Sequence, residues 1–180
     1  ASNAYNSYFD KDEQSIGGLK RPPPVTRQLY IVSLLLDLVA IVLALIYINK
    51  EFAILILVYG LASKAYSHPS IRLKKKPIGG WLTVVFFQGF FCFLMCYAGI
   101  NALPMENLFR PKVLMAALLT SLLLCGSYPL TQVYQHDEDK QHGDTSMSML
   151  LGIRGTFIFA IIFFTLAGVG FIYFFQQYFQ

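Results

Sequence analysis

The run VLMAALLTSLLLCGSYPL, residues 113–130, is followed almost at once by YQHDEDKQHGD, residues 134–144. The first is apolar throughout rather than at every second position, which predicts a helix and not a barrel strand. At about 1.5 Å per residue it is long enough, or nearly so, to cross about 30 Å of hydrocarbon. The second stretch then marks the chain leaving the membrane, and its density of charge is what needs explaining. A similar stretch, NSYFDKDE, occupies Asn6–Glu13. Seven of the ten carboxylate side chains fall in these two stretches, and Asp37, Glu51 and Glu106 are scattered elsewhere.

The rest of the chain is as oily as that run. Of its 180 residues 56% are hydrophobic and 13% charged, against about 25% charged in a soluble domain. Further spans are expected at Leu29–Ile48, Gly80–Ala102 and Met149–Tyr173. A fifth run, Phe52–Tyr66, gives only about 22 Å of helix and reads as a tilted half-span. The expected fold is an all-α polytopic transmembrane helical bundle of about five spans, residues 1–180 forming one domain. ASNAYNSYFD begins as if partway through a helix entering a polar loop, so the chain is expected to be incomplete at both ends. Cys92, Cys96 and Cys125 lie inside apolar runs and read as small buried hydrophobes rather than a disulfide or zinc framework.

The loops carry the sidedness. SIGGLKRPPPVTR bears Lys20, Arg21 and Arg27, and SHPSIRLKKKPIGG bears Arg72, Lys74, Lys75 and Lys76. The positive-inside rule places both in the cytoplasm. Counting crossings, with Phe52–Tyr66 as one, puts both acidic stretches on that same face. An integral, multi-pass membrane protein with both acidic motifs facing the cytoplasm is expected, with the lipid bilayer as a partner and no nucleic acid.

If the preceding helices continue into the acidic stretches, Asn6, Asp10 and Glu13 share one face, and Gln135, Asp139 and His142 share another. Crowded carboxylates repel one another unless a cation neutralises them. Oxygen donors without thiolates favour Mg²⁺, held by one or two carboxylates plus substrate phosphates. Arg72 and Lys74 are available for phosphate oxygens. The pattern describes a diphosphate held between metal ions and basic groups. Solvated loops without a ligand, or a cation transporter with acidic cytoplasmic loops, remain the alternatives. A transition-metal site on His136 and His142 finds only one further histidine, His68.

These residues resemble the UbiA superfamily of intramembrane aromatic prenyltransferases. Asn6 and Asp10 match the first and third marked positions of its first motif, N-D-x-x-D-x-x-x-D. Lys20–Pro23 is similar to the basic-Pro element that follows. YSHPSIRLK, Tyr66–Lys74, resembles the Y-S-x-P-P-x-R-L-K segment of its chlorophyll-synthase-like branches, and Asp139, Gly143 and Thr145 match the second motif. Ser7, Gln14 and Gln135 stand where the family has aspartates, with Asp12, Glu13, Asp137 and Glu138 nearby. Members have nine transmembrane helices, so the chain is expected to run from the end of helix 2 to helix 7.

The resemblance implies Mg²⁺-dependent transfer of a prenyl group from an allylic prenyl diphosphate to an aromatic acceptor, a quinone or pigment precursor, or to a lipid acceptor. It implies Asp10 and Asp139 as the catalytic carboxylates and Asn6, Asp10, Glu13, Asp137 and Asp139 as metal ligands. Arg21, Tyr66, Arg72 and Lys74 would take the diphosphate. The signature of the other Mg²⁺-dependent intramembrane class considered, the CDP-alcohol phosphotransferases, is absent. Phe86, Phe87, Phe90 and Phe91 read as packing or lipid-facing rings rather than a cation cage.

Two charges fall inside apolar segments. A charge in hydrocarbon costs at least about 2.5–3.5 kcal/mol, so Asp37 is expected to face the bundle interior and find a basic or hydroxyl partner. Lys64 is expected to snorkel to the surface, and Tyr128–Pro129 to bend the helix that leads to the second acidic stretch.

Overall fold

The computed structural model describes residues 1–11, 23–141 and 143–179, the side chains of residues 138 and 141 excepted. Among the described residues all regular structure is helical, and it falls into two compact units, Ala1–Leu73 and Lys74–Gln180. Four helical rods have the length and composition to cross a membrane: Arg27–Tyr47, Pro77–Asn101, Pro111–Gln135 and Met147–Tyr178. They coincide with the four long apolar runs, Ile48 and Ala102 lying one residue beyond their helices. The fifth run lies in an 18-residue helix, about 27 Å long, whose Lys50, Glu51 and Lys64 set it apart from the others.

In the first unit, α1 (Ser2–Asp10) packs on α2 (Arg27–Tyr47) and α3 (Lys50–Ser67). The α2–α3 turn is tight because Asn49 caps α3, its side-chain oxygen accepting the Phe52 N–H at 2.8 Å. Aromatic rings fill the junction with α1: Tyr5 and Tyr8 lie 5.7 and 4.9 Å from Tyr30. Leu35, Leu38 and Ile46 of α2 are exposed, as a lipid-facing surface requires. Asp37 of α2 is ion-paired with Lys64 of α3, so the expected snorkelling of Lys64 is corrected. A charge left alone in hydrocarbon is costlier than a pair, and α3 brings the ammonium to the carboxylate rather than to the surface. The Lys64 ammonium also lies 5.3 Å from the centre of the Tyr5 ring.

In the second unit, Pro77 and Pro111 start α4 (Pro77–Val84) and α6 (Pro111–Gln132). Proline suits the first turn because no intrahelical bond needs its missing N–H. The rod continues from α4 through a π-helical stretch, Val85–Phe91, into α5 (Cys92–Asn101). The widened turn is paired with α6. Ser121 Oγ donates to the Val85 carbonyl at 3.1 Å, and a Cβ on Gly89 would sit 2.7 Å from Ser121 Cα. Only glycine lets the two backbones approach that closely.

Pro129 lies inside α6 and has no N–H for the carbonyl four residues back, that of Cys125. The Trp81 indole N–H takes that carbonyl at 3.1 Å instead, as membrane spans demand. The helix α8 (Met147–Tyr178) packs along α6 through Ala117, Ala160 and Ala167, none more than 2% exposed. It is broken once, at Gly152, where φ is 69° and ψ 164°.

Candidate functional site

The two acidic stretches each build a polar cluster within their own unit. In the first, Asn6 and Asp10 stand one turn apart on α1. The Ser67 hydroxyl, at the end of α3, donates to Asn6 Oδ1 at 2.6 Å. Asp10 is 6% exposed, and its Oδ1 lies 3.9 Å from Arg72 Nη2. Arg72 holds that position from a left-handed backbone, φ 41°, with its N–H on the His68 carbonyl at 2.7 Å. A non-glycine residue in that region costs about 1–3 kcal/mol and tends to mark function. Tyr66 lies half-buried in the last turn of α3.

The end of α1 thus carries Asn6 and Asp10 on one face, with Ser67 on the first and Arg72 beside the second. The single helical face running on to Glu13 is not found: Lys11 turns left-handed, φ 52°, and closes α1 at Asp10. Glu13 and Arg21 lie outside the described residues, as do Gln14 and Lys20.

In the second unit a 3₁₀ turn, Val133–Gln135, joins α6 to the short helix α7 (His136–Gln141), and Gln132 and His136 on either side keep right-handed helical backbone. Gln135 and Asp139, expected on one face, stand four residues apart across this junction, and His142 lies outside the described residues. Gly143, φ 67°, then reverses the chain, and the Asp144 N–H bonds the Asp139 carbonyl at 2.9 Å. The following loop is tied to the basic segment by the Thr145 N–H on the Lys75 carbonyl at 3.3 Å.

This folding gathers Asp139, Asp144, Ser146, Lys74 and His136. Burial pushes the Asp139 carboxyl above the ordinary carboxylate range. The Ser146 hydroxyl hydrogen-bonds it and pulls the other way, Asp144 pushes it further up, and Lys74 and His136 pull it down. Asp144 is 7% exposed. Asp137 is elsewhere: its side chain is 86% exposed and 4.0 Å from Lys140. Two residues from Asp139, it points about 200° around the helix. Asp144 was within the acidic stretch yet not among the expected ligands. The glycine before it, which turns the chain back on α7, was the available signal.

Among the described residues no three His, Cys, Asp or Glu side chains gather at metal-ligand spacing. Mg²⁺ needs only one or two carboxylates, the rest of its shell being water and phosphate. A half-buried carboxyl raised by desolvation and by a second carboxylate fits such an ion, because a cation would relieve both effects. Basic Lys74 beside it suits an anion bound to the same ion.

No curated protein and no solved structure matches the chain. The UbiA prenyltransferase family model matches residues 1–179. The match covers both acidic clusters and all four membrane-spanning helices, and the chain belongs to the UbiA prenyltransferase family.

Proposed function

We propose that the chain transfers a prenyl group from an allylic prenyl diphosphate to an aromatic quinone or pigment precursor, or to a lipid acceptor, in an Mg²⁺-dependent reaction at the cytoplasmic membrane face. The observation that carries this reading is the pairing of half-buried Asp139 with buried Asp144 beside Lys74, in a chain of a prenyltransferase family. Asp139 and Asp144 would hold Mg²⁺, which when bound neutralises diphosphate charge. Lys74 takes up charge on the diphosphate oxygens. In the first unit Asn6 and Asp10 offer oxygen donors and Arg72 a fork for phosphate. Glu13, Arg21 and Tyr66 are assigned on motif resemblance, as further metal and diphosphate contacts.

The reaction these groups serve breaks the allylic C–O bond, its electron pair leaving on the diphosphate. An electron-rich acceptor carbon or oxygen then bonds the allylic carbon and releases a proton. The Asp37–Lys64 pair argues against cation transport through the first unit, since the ammonium already neutralises the carboxylate.

The test uses the protein in nanodiscs. Diphosphate release from geranylgeranyl diphosphate is followed with and without Mg²⁺, against a panel of phenolic and lipid acceptors. Mg²⁺-dependent release with one acceptor supports the reading. Absence of release with every acceptor, together with absence of Mg²⁺-dependent pyrophosphate binding, overturns it.

A further inference from the structure

Beside the carboxylate pair, the second unit contains a polar chain that crossing a membrane does not require. It joins Gln132 at the end of α6, His136 at the start of α7, and Ser148 and Thr156 on either side of the Gly152 break in α8. Ser148 and Thr156 are both 0% exposed. The Ser148 N–H donates to Gln132 Oε1 at 3.3 Å, and Ser148 Oγ lies 2.9 Å from His136 Nε2 and 3.1 Å from Thr156 Oγ1. Thr156 Oγ1 is 2.8 Å from the Gly152 carbonyl.

Proton counting gives the chain a direction. Each hydroxyl carries one proton, and a carbonyl only accepts. Thr156 therefore donates to Gly152, and Ser148 to Thr156. The remaining contact is served only if His136 donates from Nε2. His136 thus bears a proton on Nε2 and is anchored, through two buried hydroxyls, to the carbonyl of Gly152 at the helix break. Buried polar groups cost stability unless every one is satisfied, and here a complete chain ends on the helix that carries Asp139.

We infer that His136 is a positioning residue for the Asp139–Asp144 pair. Anchored by Ser148, Thr156 and Gly152, it sets the rotation of α7 that turns Asp139, three residues on, toward Ser146 and Asp144, while Asp137 faces solvent. Loss of the anchor frees α7, six residues long and too short to hold itself. This inference rests on the diphosphate-site reading above.

The test compares His136→Phe, which keeps a ring and loses the donor, with His136→Gln, whose amide can still donate to Ser148. Thr156→Val and Thr156→Ser form the same pair at the far end of the chain. The full chain in nanodiscs is titrated with inorganic pyrophosphate at saturating Mg²⁺, and amide hydrogen exchange over His136–Gln141 is measured without metal. The expected result is pyrophosphate affinity reduced about tenfold and exchange accelerated in His136→Phe and Thr156→Val. His136→Gln and Thr156→Ser should stay within about threefold of wild type.

Wild-type affinity and exchange in His136→Phe would overturn the inference. So would His136→Gln as weak as His136→Phe, which would assign the imidazole a direct contact with the ligand. If His136→Phe does not fold, the Thr156 pair decides alone: equal affinities in Thr156→Val and Thr156→Ser overturn it. Asp139→Asn separates the two claims. If it binds pyrophosphate as wild type does, the site reading itself has failed; if it loses binding while the His136 and Thr156 variants keep it, only the positioning role has.

Discussion

Removing the Trp81 indole should expose how α6 survives a proline in its interior. Pro129 leaves the buried Cys125 carbonyl without its helical donor, and Trp81 Nε1–H fills the gap at 3.1 Å. Trp81→Phe keeps an aromatic ring for the edge contacts with Phe159 and Phe163, now at 5.8 and 6.3 Å. The main loss is then one hydrogen bond, and a buried carbonyl left unpaired costs about 1–3 kcal/mol. Pro129→Ala supplies an N–H at the right place, so in the Trp81→Phe background it should recover about 1 kcal/mol or more relative to its effect in the wild type. The assay is reversible unfolding in mixed detergent–SDS micelles, read by circular dichroism because Trp81 is the single tryptophan. A double-mutant cycle additive within about 0.5 kcal/mol would refute the reasoning.

Further outcomes follow from the same contacts. Lys64→Met strands Asp37 and should destabilise the protein by about 1–3 kcal/mol, a range set below that of a fully buried pair because both side chains are about a quarter exposed. Lys64→Met with Asp37→Leu should recover most of that loss in the same unfolding assay. Asp144→Asn should weaken Mg²⁺–pyrophosphate binding roughly tenfold or more, whereas Asp137→Asn, altering a solvated carboxylate, should change it far less; calorimetry distinguishes them. Because the folded state raises the Asp139 carboxyl above its ordinary 3.8, that group's contribution to stability is present at low pH and is lost as pH rises from there through the raised value. Over the same window Mg²⁺–pyrophosphate binding should strengthen as the carboxylate forms, and Asp139→Asn should flatten both profiles. Gly89→Ala meets Ser121 backbone at 2.7 Å and should destabilise the second unit by about 1–3 kcal/mol.

The spans were legible because a continuous apolar run has one solution in a bilayer, and Pro77 and Pro111 mark where two of them begin. The breaks within them were not. The π-helical stretch lies where Gly89 meets Ser121, and the break at Gly152 lies beside the buried Ser148–Thr156 contact; neither partner is visible from local periodicity. Pairing Asp37 with Lys64 required knowing that α3 folds back on α2. Asn6 and Asp10 were correctly placed on one helical face, but spacing alone carried that face past Lys11, where the backbone turns left-handed. In a run of acids Asp137 and Asp139 look alike; a helix sends them to opposite faces, and the turn at Gly143 brings Asp144 to Asp139. His136 was weighed only as a metal ligand, since its hydroxyl partners lie 12 residues away and beyond.

The most direct test of the central claim is product formation. The protein in nanodiscs would be given labelled geranylgeranyl diphosphate, Mg²⁺ and each acceptor in turn, with prenylated products identified by mass spectrometry in wild type and Asp139→Asn. One acceptor prenylated only with Mg²⁺, and not by Asp139→Asn, is the predicted result. Prenylation that Asp139→Asn carries out as fast as wild type, or that proceeds equally without Mg²⁺, would contradict the account.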